Sequence, residues 1–171
     1  MSDTIKLERS FYTRDVLLVA PELPGKYLCL SRGSRVQRHM ITEVEAYRGG
    51  EDKACHASRG MTPRNRVMFM QGGLIYMYLI YGIYWMLNIV TGEEGEPQAA
   101  LIRGIKGYDG PGKLTRFLDI DRSFYGEDVC TSEKIWLEDH GLKLKAARGK
   151  RIGIDYAGDY WRDIEWRFYL R

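Results

Sequence analysis

The stretch LIYMYLIYGIYWMLN, residues 74–88, places four tyrosines between Tyr76 and Tyr84 around a single glycine, Gly82. Aromatic and β-branched residues are typical of strands, and glycine is typical of tight turns. The stretch therefore predicts a strand–turn–strand hairpin over residues 74–90.

Residues 74–90 are also a run of 17 residues without a formal charge. It is shorter than the about 20 residues that a membrane helix needs and it contains Gly82, so we expect no membrane association.

Other segments add strands and short helices to this hairpin. Asp15 can cap a helix that stops at Pro24-Gly25, and Pro111 suits the first position of another helix. Residues 48–66 are polar and rich in glycine, which indicates a loop with one helical turn. We predict helices over 15–23 and 110–120, strands over 26–31, 35–47 and 99–105, and further strand-like pieces in RIGIDYAG and WRFYLR, with residues 121–141 irregular.

These elements predict an α+β fold. The connections are too short for βαβ crossovers, so we expect a mostly antiparallel sheet, curled as an open barrel, with a few short helices packed around it. The length of 171 residues supports one core but not two ordinary domains. We therefore expect a single domain spanning residues 1–171.

Composition indicates a soluble protein in a reducing compartment. Hydrophobic residues make up 44% and charged residues 29% of the chain, and the net charge is +3. A mildly basic chain permits a polyanionic partner without requiring one. The three cysteines form no CxxC pair, and the N-terminal MSDTIKLERS has no apolar segment typical of a secretory signal. We expect a cytoplasmic location, associated with the nucleoid if the organism is a prokaryote.

Strand alternation over residues 41–47 divides ITEVEAY between two faces. Thr42, Val44 and Ala46 form an apolar core face. A carboxylate beside an aromatic ring in a cleft can accept a proton from water, although the same pattern also suits a solvent-exposed strand. The second face carries Ile41, Glu43, Glu45 and Tyr47. Alternation alone does not decide whether this face lines a catalytic cleft or is exposed to solvent.

The hairpin offers two roles for its tyrosines. Tyr76 and Tyr78 share one face, whereas Tyr81 belongs to the opposite face and lies at the turn, where little protein surrounds a ring. Apolar wedges on DNA-binding proteins insert between base steps, and enzymes that act on a base hold the extruded base between aromatic faces. Tyr81 is therefore a candidate wedge and Tyr78 a candidate pocket wall. Packing in the core is the alternative for each tyrosine.

Basic residues form two groups without an acidic residue. Such groups are often only solvated surfaces, but near exposed aromatic rings they also suit DNA phosphates. The first group is Arg59, Arg64 and Arg66, and the second is Lys143, Lys145, Arg148, Lys150 and Arg151.

Metal and nucleotide motifs are missing from the sequence. His39, His56 and His140 are scattered, and no His/Cys pair has the spacing of metal ligands. The chain has no phosphate-binding glycine loop and no dinucleotide motif. We expect neither a metal nor an organic cofactor.

Several blocks together resemble the alkyladenine (3-methyladenine) DNA glycosylase family. They are EVEAYRGGEDKACHASRG, TPRNRVMFMQGG, IYMYLIYGIYWMLN, ALIRG, GPGKL and RIGIDYAG with the closing RFYLR, and they extend from about Phe11 to the C-terminus. The resemblance implies a monofunctional enzyme that cleaves the N-glycosidic bond of damaged purines in duplex DNA. The lesions are of the 3-methyladenine, hypoxanthine and ethenoadenine type, and the product is an abasic site.

The resemblance also implies roles for individual residues. Glu45 is expected to activate the attacking water, Arg103 to help hold it, and the backbone carbonyl of Ile152 to contribute to the same task. The base pocket is expected to use Tyr47, His56 and Tyr78 to sandwich the extruded base, and Asn88 to crowd a guanine amino group. Tyr81 is expected to fill the gap in the helix, and the candidate phosphate contacts are Arg59, Arg64, Arg66 and Lys113.

The expected partner is damaged double-stranded DNA, bound by a monomer without an obligatory protein partner. Two alternatives stay open: a non-enzymatic nucleic-acid-binding barrel module, and a glycosidase that acts on free sugars or nucleosides with paired carboxylates. The chain departs from the family pattern at Asp155-Tyr156, where Gly-His is expected, and in the acidic loop GEEGEP, residues 92–97. These differences concern lesion preference.

Overall fold

The structure is a computed structural model that describes residues 4–171. The helices within this range are short, and the strands all pair antiparallel. The helices are α1 (Arg9–Tyr12), α2 (Val16–Glu22), α3 (Pro111–Leu118) and α4 (Asp159–Asp163). The strands are β1 (Ile5–Lys6), β2 (Tyr27–Arg32), β3 (Arg35–Arg48), β4 (Ile75–Ile80), β5 (Tyr84–Val90), β6 (Gln98–Ile105), β7 (Tyr108–Asp109), β8 (Ile135–Asp139), β9 (Ala147–Gly149) and β10 (Arg167–Tyr169).

The strands form one sheet in the order β1-β8-β2-β3-β6-β5-β4. β10 pairs with β3 and β9, and β7 pairs with β6. No pairing joins β1 to β4 within the part of the chain that the structure describes, so the sheet is not closed. The α+β class and the antiparallel sheet are confirmed, together with the hairpin, the strands predicted over 26–31, 35–47 and 99–105, and the two predicted helices.

Local chemistry explains the helix ends. The Asp15 carboxylate accepts the backbone N–H of Leu17 at 2.9 Å and caps α2. Pro111 begins α3, where its missing N–H leaves no hydrogen bond unmade. The loop over residues 48–66 contains a short 3-10 helix, His56–Arg59, as its predicted helical turn.

Two parts of the predicted secondary structure are wrong. RIGIDYAG is not strand-like: Gly153 and Gly158 have positive φ and bracket a short 3-10 helix, Asp155–Ala157. Residues 135–139 form β8, although the charged surroundings suggested irregular structure. Ile135 and Leu137 are both fully buried, so a period of two was present in a segment dominated by charge.

Apolar side chains cover both faces of the sheet. The main core lies between the sheet and helices α2 and α3, and includes Ile75, Met77, Leu87 and Ile89. The intervening residues of the same strands point the other way and pack under residues 55–69 in a second cluster that includes Tyr76, Val90 and Ala99. The second face of the sheet therefore has its own cluster of buried apolar side chains.

The β3–β6 ladder contains two irregularities that redirect its side chains. Ile41 pairs with Ile105, Glu43 with Gly104, and Val44 with Ile102, so Thr42 and Arg103 are each left without a ladder partner. This corrects the simple alternation over residues 41–47: Ile41 lies in the main core with Val44, not on the face of Glu43 and Glu45. Bulges of this kind commonly re-aim side chains beside active sites.

Gly104 lets the two bulged segments approach each other. A Cβ atom built on Gly104 would lie 2.8 Å from Thr42 Oγ1 and 3.3 Å from Glu43 Cβ. Gly104→Ala should therefore lower the free energy of unfolding by about 1–3 kcal/mol, measured by urea denaturation. Gly50→Ala is the control because the added Cβ would have no atom within 4 Å. Equal stability of the two variants would contradict close packing at Gly104.

Candidate active site

A cavity of about 600 Å³ opens on the second face of the sheet. Its size is typical of a small-ligand site, and most of its lining is apolar or aromatic. β3, β4, β5 and β6 supply its floor, and the loops at residues 54–68 and 152–156 supply its rim. It is lined by Tyr47, Ala54, His56, Arg64, Met68, Tyr76, Tyr78, Ile80, Tyr81, Met86, Asn88, Ala99, Leu101, Arg103, Pro111, Ile152, Gly153, Ile154 and Tyr156.

Glu45 is fully buried directly behind this lining. Its Oε1 accepts the Tyr47 hydroxyl at 2.7 Å, and its Oε2 accepts the backbone N–H of Ile152 at 2.7 Å. Arg103 Nε lies 3.7 Å from Oε2. Three groups that line the cavity thus meet at one carboxylate, although Glu45 itself has no solvent-exposed surface.

Burial sets the proton affinity of Glu45. The pKa of Glu45 is raised above its ordinary value because burial disfavours the ionised form. The Arg103 charge, the Tyr47 hydroxyl and the Ile152 N–H oppose that rise. The carboxylate is therefore a stronger proton acceptor than an exposed glutamate, and its donors make the ionised form tolerable inside the protein.

Aromatic rings form one wall of the cavity. The ring centroids of His56 and Tyr78 are 4.4 Å apart, and those of Tyr76 and Tyr78 are 5.4 Å apart. His56 Nδ1 lies 2.8 Å from the Tyr76 hydroxyl. The pKa of His56 is lowered to about 4, because the surrounding protein disfavours the imidazolium and because Arg64 lies nearby. His56 is thus neutral at neutral pH.

Tyr76 was not predicted to be a site residue. It is 1% exposed and belongs to the second apolar cluster, yet it lines the cavity and hydrogen-bonds His56. Its position on the face of Tyr78 was visible from alternation, but the contact with His56 depends on how residues 55–69 fold over the sheet.

Asn88 reaches the cavity from β5. The side chain is almost fully buried, and its Nδ2 donates to the backbone carbonyls of Tyr76 at 3.2 Å and Met86 at 3.4 Å. The amide is therefore held in one orientation against the floor of the cavity, which places a rigid polar group among apolar ones.

Tyr81 stands at the tip of the hairpin and is 87% exposed. Tyr81 and Gly82 both have positive φ, at 53° and 65°, which is the geometry of a type I′ hairpin turn. Tyr78 and Tyr81 were predicted to point to opposite faces of the hairpin, and in the structure both line the same cavity. Strand β4 ends at Ile80, so the alternation of side chains along the strand does not extend to Tyr81 in the left-handed turn.

The first basic group lies on the surface as expected. Arg59, Arg64 and Arg66 are exposed, as is Lys113 on α3. The Arg64 guanidinium lies 5.5 Å from the centroid of the Tyr78 ring and lines the cavity. Contacts of these four residues with phosphate stay a prediction.

Arg151 was expected to contact DNA phosphates as part of the second basic group, and the structure corrects this expectation. Its side chain is fully buried and pairs with Asp52, with Nη1 2.6 Å from Oδ2 and Nη2 3.0 Å from Oδ1. Nη1 also donates to the Ala46 carbonyl at 3.0 Å. The guanidinium carbon lies 4.9 Å from the centroid of the Tyr47 ring. Arg151 therefore supports Tyr47 from behind and does not face solvent.

The Ile152 prediction concerned its carbonyl, whereas the structure shows a bond from its N–H to Glu45. The water-holding role of the carbonyl stays a prediction.

Over residues 4–171, no group of three His, Cys, Asp or Glu side chains is arranged to hold a metal ion. The helices in that range are all too short or too polar to cross a bilayer.

Comparison with known proteins identifies the family of this chain. The family model described as methylpurine-DNA glycosylase matches residues 10–110 and 106–171. The chain belongs to the methylpurine-DNA glycosylase family. The two matched segments together contain every candidate residue from Glu45 to Ile152.

Individual relatives of this glycosylase family cover nearly the whole chain. A protein from Methanocella arvoryzae is 45% identical over 95% of this chain and 91% of its own length. A protein from Desulfitobacterium hafniense is 42% identical over 96% of this chain and 95% of its own length. A protein from Wolbachia pipientis is 45% identical over 95% of this chain and 90% of its own length. All three carry the provisional name 3-methyladenine DNA glycosylase.

The raised pKa of Glu45 has a consequence for stability. A carboxyl group whose pKa is raised on folding favours the folded state below its unfolded pKa, and this stability is lost as pH rises through the folded pKa. Glu45→Gln abolishes the titration. The melting temperature of Glu45→Gln, relative to wild type, should therefore increase from pH 4.5 to about pH 8.

Thermal unfolding across this pH range measures the effect. Glu165→Gln is the control, because it removes a carboxylate from the exposed surface and leaves Glu45 unchanged. A Glu45→Gln difference that falls as pH rises would show that the pKa of Glu45 is lowered on folding.

Proposed function

We infer that this chain removes damaged purines from duplex DNA by hydrolysing the N-glycosidic bond, which leaves an abasic site. Membership of the methylpurine-DNA glycosylase family makes it a hydrolase of N-glycosyl bonds in DNA. The observation that carries the residue-level proposal is the convergence of Tyr47, Arg103 and Ile152 on the buried Glu45 at the edge of an aromatic cavity.

The cavity suits a purine swung out of the helix. His56 and Tyr78 contact each other, so an inserted base cannot lie between these two, and its proposed position is between this pair and Tyr47. Stacking against such rings attracts a cationic alkylated base by about 0.5–2 kcal/mol per good contact. Neutral His56 adds no repulsion to that base, and Asn88 at the floor is placed to discriminate against a guanine amino group.

Ionised Glu45 can act in two ways as the glycosidic bond stretches. Its charge stabilises the oxocarbenium-like sugar, and one of its oxygens accepts a proton from the attacking water. Arg103 and Ile152 both contact Glu45 and line the cavity, so the proposed position of that water is beside these two residues. The methylated purine is already a good leaving group, so no second acid is required for such lesions.

Tyr81 is the candidate wedge. An extruded nucleotide leaves a gap whose formation costs a few kcal/mol, and an aromatic ring inserted into the gap recovers part of the lost stacking. The positive φ of Tyr81 projects its ring from the hairpin tip, at the rim of the cavity that would receive the base.

The remaining parts of the proposal concern the whole molecule. Residues 1–171 act as one glycosylase domain, on a sheet curved as an open barrel, and the protein binds damaged duplex DNA as a monomer. Arg59, Arg64, Arg66 and Lys113 contact phosphates around the cavity. The lesions are of the 3-methyladenine, hypoxanthine and ethenoadenine type.

Glu45→Gln should abolish excision while retaining binding. We expect the single-turnover rate on a duplex with one hypoxanthine or ethenoadenine to fall by about 10²–10⁴-fold, since a positioned base typically contributes this much. Alkaline cleavage of the end-labelled strand measures base release, and a gel-shift assay measures binding. Glu165→Gln is the control. Full activity of Glu45→Gln would refute the assignment, and wild-type binding without base release would favour a non-enzymatic binding module.

Tyr81→Ser should weaken base extrusion. A fluorescent base analogue next to the lesion brightens when stacking is lost, so we expect a smaller fluorescence change and a lower affinity for lesion DNA. Tyr160→Ser is a matched control, because Tyr160 is also exposed, at 71%, and lies outside the residues that line the cavity. The same signal from both variants would remove the wedge role of Tyr81.

A further inference from the structure

Glu43 lies two residues before Glu45, has no role in the proposed mechanism, and belongs to an ion-pair network with Arg103 and Arg167. Arg103 Nε donates to Glu43 Oε1 at 3.2 Å, and Arg167 Nη1 lies 3.4 Å from the same oxygen. Arg167 Nε in turn donates to the Lys150 carbonyl at 2.7 Å. All these side chains are mostly shielded from solvent, so the charges interact strongly.

The geometry shows which carboxylate holds the Arg103 Nε–H. This group carries one hydrogen, and it lies 3.2 Å from Glu43 Oε1 but 3.7 Å from Glu45 Oε2. The shorter distance is within hydrogen-bonding range and the longer is not. Glu45 therefore feels the Arg103 charge without losing an oxygen lone pair to it.

Bulges on both strands create this arrangement. Arg103 of β6 has no ladder partner in β3, and Thr42 of β3 has none in β6, so Glu43 and Arg103 are offset from regular pairing. In the ladder of β3 and β10, Arg167 stands opposite Glu45, and its side chain reaches Glu43. The backbone thus brings two acids and two guanidinium groups together at the edge of the cavity.

We propose that Glu43 is a positioning residue that draws Arg103 away from Glu45 and so keeps a Glu45 oxygen available to the attacking water. The proposal rests on the assignment of Glu45 as the general base. Without the Glu43 charge, Arg103 Nε needs to move only a few tenths of an ångström to hydrogen-bond Glu45 Oε2 directly. The carboxylate then becomes a weaker base, and the position of the water is obstructed.

Glu43→Gln should lower the single-turnover excision rate at about pH 7 by about 10-fold, equivalent to about 1.4 kcal/mol in activation free energy. The acidic limb of the pH–rate profile should move to lower pH. Glu43→Asp, which retains the charge, should recover part of the rate. Other ionisable groups near Glu45, namely Tyr47, Tyr78, Arg151 and Tyr156, are unchanged in these variants.

A double-mutant cycle separates positioning through Arg103 from simple loss of a nearby charge. In an Arg103→Gln background, Glu43→Gln should change the rate by less than about 2-fold. An equal loss in both backgrounds, or an unchanged pH–rate profile in Glu43→Gln, would overturn the proposal. If wild type releases no base, it is the proposed function that fails instead.

Arg167→Gln provides an independent test should Glu43→Gln fold poorly. Removing Arg167 leaves Glu43 with Arg103 as its remaining guanidinium partner and removes a positive charge, so the acidic limb should move to higher pH. Melting temperatures show whether each variant is folded. A shift of the limb to lower pH in folded Arg167→Gln would contradict the network.

Discussion

The buried carboxylate of Glu45 is the constraint around which this molecule is organised. A charge without solvent is costly unless hydrogen bonds and a counter-charge compensate it. Here the compensation comes from three separate parts of the chain, namely Tyr47 on the same strand, Arg103 on β6 and the backbone of Ile152 near the C-terminus. Proper folding of all three is therefore needed before the carboxylate can be ionised in place.

The rest of the site supports these three contacts. The buried pair of Asp52 and Arg151 joins the loop after β3 to the segment that carries Ile152, and it holds Arg151 under the ring of Tyr47. Breaking such a pair usually costs more than the pair contributes, because one charge is left buried and alone. This ion pair fixes the geometry of the site, whereas the apolar clusters on both faces of the sheet provide most of the stability.

The two faces of the sheet divide the work. One face packs on helices α2 and α3, and the other carries a smaller apolar cluster under the cavity. The hairpin of β4 and β5 contributes side chains to both clusters, and its left-handed turn at Tyr81 and Gly82 lies outside the two strands. The pocket wall formed by Tyr78 and the candidate wedge Tyr81 thus lie on one hairpin.

The sequence by itself determined the hairpin, the long strand with Glu45 and Tyr47 on one side, and the capped helix α2, because these depend on local periodicity and turn chemistry. Family membership also followed from sequence motifs. Only the tertiary structure decided that Ile41 lies in the core, that Tyr81 shares a cavity with Tyr78, and that Arg151 is buried on Asp52. Bulges, left-handed turns and ion pairs between distant segments depend on contacts across the fold, which strand alternation and local composition do not encode.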